Sequence, residues 1–275
     1  MKIRIITGAC YATVLAGFFL LREFVDARLF HVLTYLFLVL GTEELARMLK
    51  PYTFKWTYIA SIIYAVAFVP AYYVGIKLIS GTLGWLLAVD LTFLMLVITS
   101  VFSLIFKNSL KTLGLSLLPY VYPSLLLLFM LLANDMNSYG FIVLLLSFVI
   151  SPLSDTFAYF VGSLIGGKKL CPKISPKKTW SGAIGGTVGG AIGALIVYLI
   201  FKPTINICCP ALFFIGVGIV ASIVNIFGDL FESLVKRKAG VKDSGKILPG
   251  HGGVLDRIDG TSFVIVFVYL LFLLV

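Results

Sequence analysis

Long apolar runs separated by short polar connections make up most of the chain, and none of them alternates apolar and polar residues with the period of two that a half-buried strand requires. Runs able to cross a hydrocarbon core of about 30 Å, which takes roughly 20 residues, are Ile5–Leu21, Leu29–Met48, Trp56–Ile76, Leu83–Phe106, Thr112–Ala133, Ser138–Gly162, Gly182–Phe201, Ala211–Val235 and Gly260–Val275. In lipid, backbone polar groups are satisfied only within helices or closed barrels. Runs without alternation therefore predict an all-α, polytopic integral membrane protein with about nine transmembrane helices. The ninth run is short, and spans comfortably only if its helix begins around Asp256.

Composition supports this reading. Hydrophobic residues make up 60% of the chain and charged ones only 12%, more apolar surface than a soluble core hides. The N-terminal run is too long for a signal peptide and lacks a small-residue cleavage site, so it is read as retained. A net charge of +10 raises nucleic acid as a partner, but the basic residues lie between hydrophobic runs rather than on one face. Membrane topology explains them better, and no nucleic acid is expected. Lys2, Arg4, Arg47, Lys50, Lys55, Lys107, Lys111, Lys168, Lys169, Lys173, Lys177, Lys178, Lys236, Arg237, Lys238, Lys242, Lys246 and Arg257 fall on one side. Only Arg22, Arg28, Lys77 and Lys202 fall on the other. The positive-inside rule then puts the N-terminus and the Ser233–Asp259 loop in the cytoplasm and the C-terminus outside; the expected location is the cell inner (plasma) membrane. Cys10, Cys171, Cys208 and Cys209 lack CxxC spacing and histidine neighbours, which argues against a zinc site or a disulfide framework.

In the seventh run Gly182, Gly186 and Gly190 recur every fourth residue, as do Gly185, Gly189 and Gly193. Small-residue faces let helix backbones approach closely in lipid. They serve internal packing or a homodimer interface; a phosphate cradle would need a loop. The eighth run carries a polar stripe, Ser222, Asn225, Asp229, Glu232, Ser233 and Lys236, at three- and four-residue intervals and hence on one helix face. Ionisable residues in a membrane helix cost at least a few kcal/mol and face a bundle interior or a wet cavity. Asp229 and Glu232 therefore read as metal ligands or as partners of a loop lysine. The second run holds Glu43 and Glu44 near its end.

Asp256 and Asp259 follow in the polar stretch Ser233–Asp259 and share a face if the ninth helix has begun there, at its positive N-terminal end. Converging carboxylates suit a hard divalent ion such as Mg²⁺, with helix capping as the plainer role for one of them. Between the acid groups lie Lys242-Asp243-Ser244-Gly245-Lys246 and Pro249-Gly250-His251-Gly252-Gly253. Glycines admit backbone N–H groups close to an anion, and lysines add point charge. The full GxxxxGK(S/T) pattern of a Walker A loop is absent. His251 is either a hydrogen-bonding spacer in a turn or part of a nucleotide loop.

A second polar region spans Ser151 to Ser181. Asp155 lies at helical spacing with Ser147, Ser151 and Tyr159. Beyond Gly166-Gly167 comes a basic loop, Lys168, Lys169 and Lys173, then Ser175-Pro176-Lys177-Lys178-Thr179 directly before a helix start. It either sets topology against anionic headgroups or clamps phosphate.

The run Ser233-x-x-Lys236-Arg237, Lys242-Asp243-x-Gly245, Leu248-Pro249-Gly250-His251-Gly252-Gly253, Asp256-Arg257-x-Asp259 resembles the signature of the phosphatidate cytidylyltransferases, or CDP-diacylglycerol synthases, with fixed spacing over some 27 residues. Asp155-Thr156, Ala158-Tyr159, Gly162 and Ser175-Pro176-Lys177-Lys178-Thr179 are similar to that family's other motifs. Phe157 stands where a glycine is common, and Ser181 where a glutamate often follows the lysine-threonine motif. The first 150 residues resemble the family only in being hydrophobic.

The resemblance implies two regions: 1–150, about five transmembrane helices and the start of the sixth, and 151–275, a catalytic transmembrane region with cytoplasmic loops. It implies CMP transfer from CTP to phosphatidate in the bilayer, giving CDP-diacylglycerol and pyrophosphate in phospholipid biosynthesis, with Mg²⁺; clustered carboxylates around substrate phosphates leave room for a second, monovalent cation. By the same resemblance Asp229, Asp256, Asp259 and Asp155 bind metal, and Asp229, Asp256, Asp259 and Lys177 are catalytic. Ser175, Lys177, Lys178, Thr179, Lys242, His251, Gly252, Gly253 and Arg257 contact substrate. The alternatives are a CTP-dependent lipid-alcohol kinase and an ion-coupled transporter using Asp155, Asp229 and Glu232.

Overall fold

A computed structural model describes residues 2–79, 83–106, 109–205 and 207–275, with side chains from residue 6 onward. Lys107, and the side chains of Lys2 and Arg4, which entered the orientation argument, lie outside the described part. The apolar runs are helical: α1 Lys2–Phe24, α2 Leu29–Leu49, α3 Thr57–Leu78, α4 Trp85–Ile105, α5 Leu110–Val121, α6 Ser124–Asn134, α7 Gly140–Ile165, α8 Trp180–Phe201, α9 Pro210–Lys238 and α10 Leu255–Phe272. Among the described residues, eight helical stretches are long and apolar enough to cross a membrane, and the chain is a multi-pass membrane protein.

Two expectations are corrected in detail. The fifth run is not one helix. It breaks into α5 and α6 at Tyr122-Pro123, where the proline has no N–H to continue the ladder and the preceding residue is extended, at φ −116° and ψ 127°. The ninth run does start as its length demands, at Leu255, but is not one of the eight. Its 18 residues give about 27 Å at 1.5 Å rise, and Asp256, Arg257 and Asp259 crowd its first turns.

The basic connection after α7 is also not a plain loop. Gly166 and Gly167, at φ +66° and +98°, end α7 in a conformation that other residues rarely adopt. The chain then forms an antiparallel hairpin of β1 Lys169–Cys171 and β2 Ser175–Thr179, with Lys169 opposite Thr179 and Cys171 opposite Ser175. Thr179 closes the hairpin and opens α8, its Oγ1 accepting the Gly182 N–H at 3.1 Å as an N-cap.

The packing divides the chain into two compact units. One comprises Met1–Leu132 and Ala239–Asp256, the other Ala133–Lys238 and Arg257–Val275. The division falls after Leu132, whereas the expected boundary at 150/151 lies within α7. In the second unit α8 packs on α7 and α9 through its glycines. A Cβ on Gly189 would stand 2.6 Å from Phe157 Cβ, one on Gly186 3.0 Å from the Ser154 carbonyl oxygen, and one on Gly190 2.9 Å from the Gly218 carbonyl oxygen. Both glycine faces are thus occupied within the unit, as expected for backbone contact in lipid.

Candidate active site

In the second unit, α9 presents its polar stripe to α7, the hairpin and α10. Asn225 is buried and joins two elements: its Nδ2 donates to Asp155 Oδ1 on α7 at 2.8 Å, and its Oδ1 accepts from Ser151 Oγ at 2.5 Å. One turn on, Asp229 Oδ2 meets Lys178 Nζ from β2 at 2.5 Å, while Oδ1 accepts from Ser233 Oγ at 3.2 Å. Asp259 on α10 accepts the Gly260 N–H at 2.7 Å and lies within electrostatic range of Asp229 and Asp155. Gly228 and Gly260 allow this approach. A Cβ on Gly228 would fall 2.9 Å from the Asp259 carbonyl oxygen, and one on Gly260 only 1.9 Å from Asn225 Oδ1. Glu232, wholly buried, pairs with Lys236 at 3.2 Å on the same helix.

Three of the four aspartates predicted to bind metal, Asp155, Asp229 and Asp259, are therefore neighbours in one unit, with Lys178 among them. Among the described residues no three acidic, His or Cys side chains stand as a ready ligand set. The donors are nevertheless carboxylate oxygens, the type that hard divalent ions take while keeping waters or substrate phosphates, so their chemistry fits Mg²⁺. Lys177 does not share Lys178's position. Neighbouring strand residues point to opposite faces, and Lys177 is exposed where Lys178 turns to Asp229. Ser175 opens β2, Thr179 is occupied as a cap, and Arg257 is exposed. Arg237 at the end of α9 reaches the hairpin turn, its Nε donating to the Ile174 carbonyl at 3.4 Å.

The first unit holds the other motif. There Leu248-Pro249-Gly250-His251-Gly252 forms a tight turn, with the Leu248 N–H donating to the Gly252 carbonyl and the His251 N–H to the Leu248 carbonyl, both at 2.9 Å. Gly250 and Gly252 take φ of +77° and +87°. On α1, Thr7 Oγ1 donates to the Pro249 carbonyl at 3.0 Å, and Gly8 lies beside the His251 ring. Lys242 is exposed. Asp256, in the first turn of α10, accepts at Oδ2 from the Ser244 N–H at 3.0 Å, Ser244 Oγ at 2.9 Å and the Gly253 N–H at 2.8 Å.

Glu44, absent from the predicted site, completes this arrangement. Its carboxylate, with no exposed surface, accepts the Val254 N–H at 3.1 Å, the Leu255 N–H at 2.9 Å and Ser244 Oγ at 3.2 Å. A Cβ on Gly245 or Gly253 would stand 2.2 or 2.3 Å from a Glu44 oxygen, and one on Gly252 2.4 Å from Asp256 Oδ2. The anions that these glycines approach in this structure are the chain's own carboxylates. The signal in the sequence was a carboxylate in an apolar run; nothing there named its partners, some 200 residues away.

The chain matches the Cytidylyltransferase family over residues 2–275. It is similar to the phosphatidate cytidylyltransferase of Brucella abortus (strain 2308), 42% identical over 140 residues, covering 51% of this chain and 50% of that protein. The enzyme of the same name from Bacillus subtilis (strain 168) is 38% identical over 138 residues, covering 50% of each chain. That of Thermotoga maritima is 40% identical over 119 residues, 43% of this chain and 44% of that protein. The chain thus spans about half the length, or somewhat less, of these relatives. With its polytopic helical architecture and the motif residues gathered as described, the chain belongs to the cytidylyltransferase family.

Proposed function

We propose that the chain is a phosphatidate cytidylyltransferase, transferring CMP from CTP to phosphatidate and releasing pyrophosphate. The observation that carries this reading is the grouping of Lys178, Asp229, Asp155 and Asp259 in one unit: a cation and three carboxylates around a polar helix stripe. The relatives' names supply the substrates. In the reaction a phosphate oxygen of the lipid attacks the α-phosphorus of CTP, and the bond from that phosphorus to the oxygen bridging to the β-phosphate breaks. The nucleophile is already anionic at neutral pH, so no strong base is needed. What the site must do is bring two anions together and neutralise charge on the leaving group.

Asp229 and Asp259 would hold Mg²⁺ with Asp155 beside them, and the family resemblance adds Asp256, on the same helix as Asp259. In this structure Asp256 Oδ2 accepts from the Ser244 and Gly253 N–H groups. Bound at the site, the ion would screen the phosphates and stabilise the leaving pyrophosphate; clustered carboxylates also suit a second, monovalent cation. Lys178, paired with Asp229, would stay by the phosphates as a fixed positive charge. Lys177, Lys242 and Arg257, all exposed, would meet substrate from the aqueous side, with Ser175 and Thr179 supporting the hairpin and His251, Gly252 and Gly253 shaping the nucleotide loop.

The positive-inside rule supports a site facing the cytoplasm, where CTP is; the membrane proposed is the plasma membrane. Phosphatidate-dependent pyrophosphate release from CTP by the purified chain in lipid vesicles tests the reading. Release of CDP with a lipid alcohol would mark a kinase instead.

A further inference from the structure

We infer that Glu44 is a positioning residue for CTP: from α2 it holds the 244–255 loop and the start of α10 in the conformation that receives the nucleotide. The inference rests on the proposed transfer and adds a residue that the signature lacks. A carboxylate with no exposed surface is costly unless its hydrogen bonds are made. All three bonds described above for Glu44 go to the loop and the start of α10, two of them to backbone N–H groups at the α10 N-terminus, where negative charge is also favoured by the helix dipole.

Ser244 Oγ ties the arrangement together, since it lies within hydrogen-bonding distance of both Glu44 Oε2 and Asp256 Oδ2. A Cβ at Gly245 or Gly253 would stand 2.2 or 2.3 Å from a Glu44 oxygen, so a side chain at either position would push that carboxylate aside. The glycine-rich motif is therefore shaped around Glu44, and the same loop carries Lys242 and His251. Losing the carboxylate loosens the loop that carries Lys242 and His251.

Glu44→Gln tests this in the full chain in phosphatidate vesicles. The amide can accept one of the two N–H groups but turns its own NH₂ toward the other. The expected result is a KM for CTP raised by about 10–100-fold, the scale of a misplacement of about 1 Å, with the KM for phosphatidate unchanged and faster amide exchange at Val254 and Leu255. A residue needed only for folding would lower the active fraction, and so kcat, at unchanged KM. An unaltered KM for CTP, or equal weakening of both substrates, overturns the inference. Should the unaltered chain transfer no CMP, the functional reading falls by itself; amide exchange then decides the Glu44 clamp, which unaltered exchange at Val254 and Leu255 would refute. If Glu44→Gln does not accumulate, Ser244→Ala takes its place: a raised KM for CTP supports the inference, and a normal one overturns it.

Discussion

Lys178 Nζ and Asp229 Oδ2 stand 2.5 Å apart, so a cation proposed for phosphate and a carboxylate proposed for metal hold each other across the β2 strand and α9. The pair is partly open, with side-chain exposures of 24% and 27%. Ion pairs of that kind contribute only about 0–1 kcal/mol to stability. Lys178→Ala should therefore leave the melting temperature nearly unchanged while lowering kcat/KM by about 100-fold, the scale of losing one charge-stabilising contact. A parallel loss of stability and activity would make the pair structural.

Asp256→Asn and Asp259→Asn each keep an oxygen for the N–H groups that the aspartate accepts from, Ser244 and Gly253 for the first and Gly260 for the second. Both variants should fold and lose CMP transfer by about 100-fold or more, since each removes a carboxylate proposed to hold the ion that neutralises the leaving group. Near-normal turnover in either would remove that residue from the metal assignment.

The family resemblance puts Ser181 where a glutamate often follows the lysine-threonine motif. Its Oγ donates to the Gly166 carbonyl and lies 3.1 Å from Thr179 Oγ1, in the first turn of α8. Ser181→Glu gives up a neutral hydrogen bond worth about 1 kcal/mol and gains about 0.3–1 kcal/mol from a negative charge at a helix N-terminus. The two nearly cancel, so stability and turnover should both stay close to normal in a thermal melt and a transfer assay.

The apolar runs made the helices legible because burial in lipid needs only length and hydropathy, which a single sequence carries. The β1–β2 hairpin was not legible. Strands of three and five residues have no period to read, and a basic stretch with Pro176 looks like a loop. The break at Pro123 was signalled by the proline itself, although an unbroken apolar run around it masked the signal. At the site, the stripe from Ser222 to Lys236 placed Asp229 and Asn225 on one face in advance. What escaped was pairing between distant segments: Lys178 with Asp229, Asn225 with Asp155, and Glu44 with Ser244, Val254 and Leu255.

The α8 glycines offer a packing test with a built-in control. A Cβ on Gly190 would lie 1.7 Å from Ser222 Oγ and 2.9 Å from the Gly218 carbonyl oxygen, while one on Gly216 meets nothing within 4 Å. Gly190→Ala should destabilise by about 1–3 kcal/mol, the range for overpacking, and Gly216→Ala should be tolerated. Equal melting temperatures for the two would contradict the α8–α9 packing.

The central claim is CMP transfer to a lipid phosphate, and the fate of labelled CTP tests it most directly. Purified chain in phosphatidate vesicles with Mg²⁺ should move label from the α-phosphate of CTP into lipid and release label from the γ-phosphate as pyrophosphate. Label from the γ-phosphate entering lipid, or no α-label in lipid at all, would contradict it.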